Sequence, residues 1–257
     1  VIELKDLVKT YRDVHAVKGI NLKVPPGEFF GFLGPNGAGK TTTIKMLVGL
    51  LKPTSGSVVI GGYDVSKEPL RAKSIFGYIP DRPFIYEKLT GREYLMFIAK
   101  LYGVDMKVAE ERADEFLSFF DLMDAENALI EGYSHGMKQK LIISAALLHE
   151  PKVLIVDEPM VGLDPKGARQ VKQLFTDLCR RGAAVFMSTH SLGIAQAMCH
   201  RIGIIQKGEV IALGSMEELR RMAKKDQEHL ELEDIFLELT GDTNLERLGV
   251  SMEHPAA

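Results

Sequence analysis

Long hydrophobic runs are what this 257-residue chain most plainly lacks. Its longest apolar stretches, such as "LIISAALL" at 141–148 and "VLIV" at 153–156, fall far short of the roughly 18–20 residues of a membrane span. No signal-peptide pattern opens it, so a soluble protein is expected. Cysteine is scarce as well. Cys179 and Cys199 are the two present, without metal-ligand spacing, and are read as reduced core thiols of a cytosolic protein. An excess of one charge sign is also missing: 32 Lys and Arg face 35 Asp and Glu, a net charge of −3, which gives no reason to expect nucleic acid as a partner. What remains, 46% hydrophobic and 26% charged residues, suffices for a buried core in one large domain or two small ones.

The sharpest signal is "GPNGAGKTTT" at 34–43, between the apolar run "FFGFL" and the helix-patterned "IKMLVGLL". Gly34, Gly39, Lys40 and Thr41 fit G-x-x-x-x-G-K-[ST], the phosphate loop, and the flanks supply the strand and helix that the motif requires. Glycines let the backbone turn several N–H groups inward, and the helix adds the positive end of its dipole. Gly34, Pro35, Asn36, Gly37, Ala38, Gly39 and Thr42 are therefore candidate cradle residues, with Lys40 for the β- and γ-phosphates and Thr41 for Mg²⁺. Ile44, Leu47, Val48 and Leu51 recur at helical spacing and read as core.

Elsewhere the chain divides by texture. Ile20, Leu22 and Val24 alternate as in an antiparallel layer, which continues through "PTSGSVVIGGYDV". From about Phe84 to Glu150 helices dominate: Thr90 and Glu93 form a capping box for a helix whose core stripe is Tyr94, Phe97, Ile98 and Leu101, and Ala109, Ala113, Phe116, Leu117 and Phe120 stripe the next. Strand and helix then alternate through "PKVLIVDEP", "KGARQVKQLFTDLCRRG" and "AAVFMSTH", which implies a parallel sheet, with a hairpin turning at Lys207-Gly208. The tail is acidic and helical, with Leu232, Ile235, Phe236 and Leu239 on one face.

Three further features carry chemistry. "VLIVDEP" ends in Asp157-Glu158, and a carboxylate at that strand tip is placed to hold Mg²⁺. Glu158 is then free to polarise the water that attacks a γ-phosphate; a solvated surface pair is the alternative. His190 follows the next strand and reads either as a γ-phosphate contact or as an ordinary helix-capping residue. In "YSHGMKQKL", Ser134 and Gly136 start a helix, a second anion site.

Together these motifs strongly resemble the ATP-binding subunit of ABC transporters over nearly all of residues 1–220. "GPNGAGKT" is similar to the Walker A loop, "VLIVDE" to Walker B, "YSHGM" to the signature motif, "GLDP" at 162–165 to the D-loop and His190 to the switch histidine. The resemblance implies an α/β fold: a P-loop NTPase (RecA-like) core with an antiparallel β layer in 1–83 and 151–220, an inserted helical subdomain in 84–150, and a helical tail in 221–257. It implies ATP and Mg²⁺ as ligands, Tyr11 stacking on adenine, and Glu158 and His190 as catalytic residues. The signature departs from L-S-G-G-Q at His135 and Met137. Asp81 stands where the family has a glutamine; it is read as a metal ligand, with an interface position or plain solvation as alternatives. A head-to-tail dimer with a second ATP-binding subunit, separate transmembrane permease subunits docking near Asp81, and a cytoplasmic place on the inner face of the membrane follow from the same resemblance. "LEDIFLELTG" is similar to the close of ATPases serving bacterial exporters. A soluble ABC-type ATPase acting on ribosomes or DNA, and a module that binds ATP without turnover, are the other readings.

Overall fold

Alternation of apolar and polar residues at the start of the chain builds a half-buried layer. In strands β1 (Ile2–Tyr11) and β2 (Val14–Val24), Ile2, Leu4, Ile20, Leu22 and Val24 are buried while Lys5, Asn21 and Lys23 face solvent. The structure, a computed structural model, describes residues 1–82, 84–223 and 230–241. β3 (Phe29–Leu33) is buried along its whole length, as a central parallel strand is, and leads through the Gly-rich segment into α1 (Lys40–Leu47). β4 (Ser55–Ile60) and β5 (Tyr63–Asp64) complete the antiparallel layer in the order β2-β1-β4-β5, as expected. The short α2 (Pro69–Lys73) then delivers β6 (Phe76–Ile79) to a second sheet.

Three helices follow: α3 (Gly91–Leu101), α4 (Met106–Phe119) and α5 (His135–Leu147). The Thr90–Glu93 capping box is formed. The buried stripe of α3 differs from the one expected. Tyr94, Leu95 and Ala99 point inward, whereas Phe97 and Leu101 lie outward, Leu101 being 66% exposed. Apolar residues run around more of this helix than one face, and among the described residues α3 packs mainly on α4 and α5, so it buries one stripe and leaves the rest out.

β7 (Val153–Asp157), α6 (Pro165–Arg180), β8 (Ala184–Ser188), α7 (Leu192–Met198), β9 (Arg201–Gln206) and β10 (Glu209–Gly214) complete the second sheet, ordered β10-β9-β3-β8-β7-β6. All its neighbouring pairs are parallel except β9 with β10, which turn at Lys207-Gly208, both at positive φ. One face of this sheet packs Phe30, Phe32, Ile155 and Phe186 on α1 and the antiparallel layer. The other packs Phe29, Val156 and Met187 against Phe175 of α6 and Leu95, Leu117 and Leu141 of the helical segment.

α8 (Met216–Met222) and α9 (Leu232–Thr240) close the described chain, with Leu219, Leu232 and Ile235 in one cluster with Leu33 and Ile204. Phe236 and Leu239 pack at its margin. Of the tail expected from 221 onward, 224–229 and 242–257 lie outside the described residues. Both thiols are free, and burial pushes both above the ordinary range, Cys179 to about 11. Among the described residues no helix is long and apolar enough to cross a membrane.

Phe186 sits 5.5 Å from the Phe30 ring and 5.4 Å from the Phe32 ring, fully buried on the central strand. Phe186→Ala is expected to cost about 3–5 kcal/mol. Urea titration of parent and variant measures it, and a loss below about 1 kcal/mol would mean that the sheet does not depend on this aromatic layer.

Candidate active site

The residues that the sequence singled out meet at the carboxyl ends of β3, β8 and β7. Pairing sets this edge: Phe32 of β3 lies opposite Ser188 of β8, and Ser188 lies opposite Asp157 of β7. The Gly34–Gly39 turn leaves β3 here. Gly39 has φ 111°, and a Cβ there would stand 2.6 Å from the Ala16 carbonyl, so only glycine fits the start of α1. Gly34 and Ala38 are buried, Pro35 and Gly39 half-buried, and Asn36 and Gly37 exposed. Lys40 Nζ donates to the Gly34 and Pro35 carbonyls at 2.5 and 3.1 Å. Its burial lowers the ammonium pKa, while Glu158 and Asp157 pull it back up. Thr41 is exposed and Thr42 half-buried at the first turn of α1.

Asp157 is 7% exposed. Burial raises its pKa first of all, with Glu158 and Asp81 adding to the rise and Ser188 and Lys40 opposing it. Glu158 leaves the strand in the left-handed region, φ 51°, which turns its side chain away from that of Asp157 and toward the end of β8. Its Oε1 accepts from the His190 backbone N–H and from His190 Nδ1, both at 2.7 Å. Its Oε2 accepts from Thr189 Oγ1 at 3.0 Å. The His190 tautomer follows from the carboxylate, which only accepts. Thr189 escaped the sequence reading as a partner of Glu158, since a threonine beyond a strand carries no signal of its own. A cavity of about 330 Å³ beside this cluster is lined by Gly34, Pro35, Asn36, Thr189 and His190.

Other candidates stand apart. Asp81 is exposed just beyond β6, within electrostatic reach of Asp157 but with no hydrogen bond of its own in the described residues. Tyr11 closes β1 at 45% exposure, with Lys9 Nζ 5.2 Å over its ring. Ser134 caps α5, its Oγ accepting from the Met137 N–H. Ser134 and Gly136 lie at the start of α5, on the side of the molecule that holds the 159–162 segment. The Gly136 position faces the Gly162 carbonyl, and the His135 ring lies so close over Gly162 that a Cβ there would fall 2.0 Å from it. Gln139, buried on α5, donates to the Pro159 carbonyl at 3.3 Å. It was missed in the sequence, although a lone amide inside "MKQKLIISAALL" is the kind of polar intrusion that seeks a buried partner.

The residues fit a shared magnesium ion. Among the described residues no group of three or more His, Cys, Asp or Glu forms a metal cage. One buried carboxylate at the tip of β7, destabilised by burial, with the Thr41 hydroxyl at the start of α1 and an anion cradle on the same sheet edge, is a donor set for an ion held jointly with phosphates.

Comparison with known proteins bears on the family and the fold. The profile of the ABC transporter family matches residues 17–161. The linearmycin resistance ATP-binding protein LnrL of Bacillus subtilis (strain 168) is 40% identical over 85% of this chain and 70% of its own length. The daunorubicin/doxorubicin resistance ATP-binding protein DrrA of Streptomyces peucetius is 39% identical over 91% and 71%. Among solved structures, an ATP-binding subunit of an ABC transporter superposes with a TM-score of 0.89 at 34% identity, over 93% of this chain and 99% of that one. A dimeric ATP-binding cassette in a post-hydrolysis state with ADP and Pi gives 0.77 at 27%, over 84% and 99%.

A carboxyl whose folded pKa is raised destabilises the fold while ionised. Asp157→Asn is therefore expected to raise the melting temperature at pH 7. The advantage should shrink as pH falls through the raised pKa toward the ordinary aspartate value, where the parent carboxyl becomes neutral too. Scanning calorimetry at several pH values tests this; a variant less stable than the parent at pH 7 would contradict it.

Proposed function

Because the chain belongs to the ABC transporter family, we propose that it is one half of a head-to-tail pair of ATP-hydrolysing subunits driving export through separate membrane-spanning subunits. It is an ABC-type ATPase on a P-loop NTPase fold. The observation that carries the fuller reading is the grouping on one sheet edge of the phosphate loop, buried Asp157, and Glu158 held by Thr189 and His190. In this reading 1–83 with 151–220 are the catalytic core, 84–150 the helical subdomain and 221–257 the tail.

Residues 34–42 bind the phosphates of ATP, with Lys40 supplying a point charge at the β- and γ-groups, and Tyr11 offers its exposed ring to the adenine. Thr41 and Asp157 hold Mg²⁺, with Asp81 bearing on it through Asp157; when bound, the ion neutralises charge developing on the phosphates. Glu158 has about four acceptor sites and spends three on Thr189 and His190. The one left, on Oε2, orients water and takes its proton. The water oxygen bonds to the γ-phosphorus, the bond from that phosphorus to the β–γ bridging oxygen breaks, and ADP and phosphate leave. Ser134 and Gly136, at the start of α5, serve the nucleotide of the partner protomer.

Separate support concerns the membrane partner and the direction. Phe84 is 97% exposed and Tyr86 60%, with Tyr86 edge-on to Phe97 at 5.3 Å. This aromatic surface beside Asp81 suits a docking helix of a permease subunit at the inner face of the membrane. Relatives named for resistance to linearmycin and to daunorubicin/doxorubicin favour export.

Phosphate release from Mg-ATP by the purified full chain tests the reading. Lys40→Ala should lower the rate about a hundredfold or more, and undiminished turnover would remove the phosphate-loop assignment. Glu158→Gln keeps the shape but loses the proton acceptor. With Mg-ATP it should run as a dimer on sizing where the parent is mostly monomeric, and hydrolysis at the parent rate would end the proposed role of Glu158.

A further inference from the structure

The family match ends at residue 161, yet α9, the last described helix, packs beside the hydrolytic cluster. Its Phe236 lines the same cavity as Gly34, Pro35, Asn36, Thr189 and His190, and its Leu232 and Ile235 share a core with Leu33, the residue that precedes the phosphate loop. Side chains of β9 and α8 also hold the end of α9 and the segment just before it. Gln206, at the end of β9, donates to the Thr240 carbonyl at 2.6 Å, and Arg220 Nε donates to the Leu230 carbonyl at 2.9 Å.

The third fixing point is on α7. There the Gln196 amide uses both ends: Oε1 accepts from the Leu232 N–H at 2.8 Å, and Nε2 donates to the Glu231 carboxylate. His190 is followed by Ser191, the cap position of α7, which starts at Leu192. The Ser191 N–H donates to Thr189 Oγ1 at 3.0 Å, and that hydroxyl in turn donates to Glu158. An unbroken series of bonds therefore runs from Glu158 through 189–191 and α7 to the first turn of α9.

We propose that α9 is a positioning element of the ATPase site, and that Gln196 is its latch, holding α7 so that Thr189 and His190 keep Glu158 aimed at the attacking water. The proposal rests on the reading of Glu158 given above. Gln196 touches no reacting atom, so its effect falls on turnover and leaves nucleotide binding, which the loop at 34–42 carries, unchanged.

The partner chemistry allows a reversal test in the full chain. Gln196→Glu retains the acceptor for Leu232 but sets a carboxylate against Glu231. Adding Glu231→Gln restores a donor and an acceptor, with the bond running the other way. The single variant should lower kcat about tenfold with KM for ATP within about twofold of the parent, and amide exchange over 190–198 should quicken without nucleotide. The double variant should recover kcat and slow exchange. A Gln196→Glu chain with parental kcat and parental exchange overturns the latch, as does a melting temperature that falls while kcat stays put. Amide exchange needs no ATP turnover, so a parent chain that releases no phosphate would remove the ATPase reading, while quickened exchange in the variant would still support the latch between α7 and α9.

Discussion

Everything at the candidate site depends on β8 lying between β3 and β7 in parallel register. That one arrangement sends the turn after β3, the carboxylates after β7 and the Thr189-His190 pair after β8 to the same sheet edge. Open α/β sheets bind ligands outside the carboxyl ends of their strands for this reason. The apolar residues of the three strands, buried on both faces, keep the register: Phe30, Phe32 and Phe186 on one face, Phe29, Val156 and Met187 on the other. A slip of one residue would exchange these faces and carry the polar tips out of reach of one another.

Glu158 is where the fold holds an unfavourable conformation. A non-glycine residue in the left-handed region costs on the order of 1–3 kcal/mol, and Glu158 remains there at φ 51°. Its own N–H donates to the Ser188 carbonyl at 2.9 Å, and its carboxylate accepts from Thr189 and His190. These bonds turn the side chain away from Asp157 and toward the end of the neighbouring strand. Two adjacent acidic residues thus acquire different surroundings, one buried with a raised pKa and one tied to a histidine.

The segment after Glu158 is joined to the first turns of α5 by a hydrogen bond and by close packing. Gln139 reaches the Pro159 carbonyl, and His135 lies over Gly162 where no side chain would fit. The two stretches that resemble the signature motif and the D-loop therefore form one surface, set against the tip of β7. His135, a departure from the family's glycine, supplies much of that contact.

The phosphate loop, the order of strands and helices, the Thr90 cap and the Lys207-Gly208 turn were legible in the residues, because each is a local rule of backbone geometry, hydrogen bonding or periodicity. Asp157 and Glu158 were legible as a strand tip only. Which of them would be buried, and that Glu158 would turn to Thr189 and His190, depended on β8 entering between β7, the strand before it, and β3, far from it in sequence. The outward placement of Phe97 and Leu101 was set by the neighbours that α3 acquires, which its own periodicity does not contain. The same holds for Gln196 with Glu231 and Leu232, and for Gln139 with Pro159. By itself the sequence determined the local elements and the phosphate-binding chemistry; the tertiary structure alone decided which distant polar groups would meet, because hydrogen bonds act over a few ångströms and only packing brings residues separated along the chain that close.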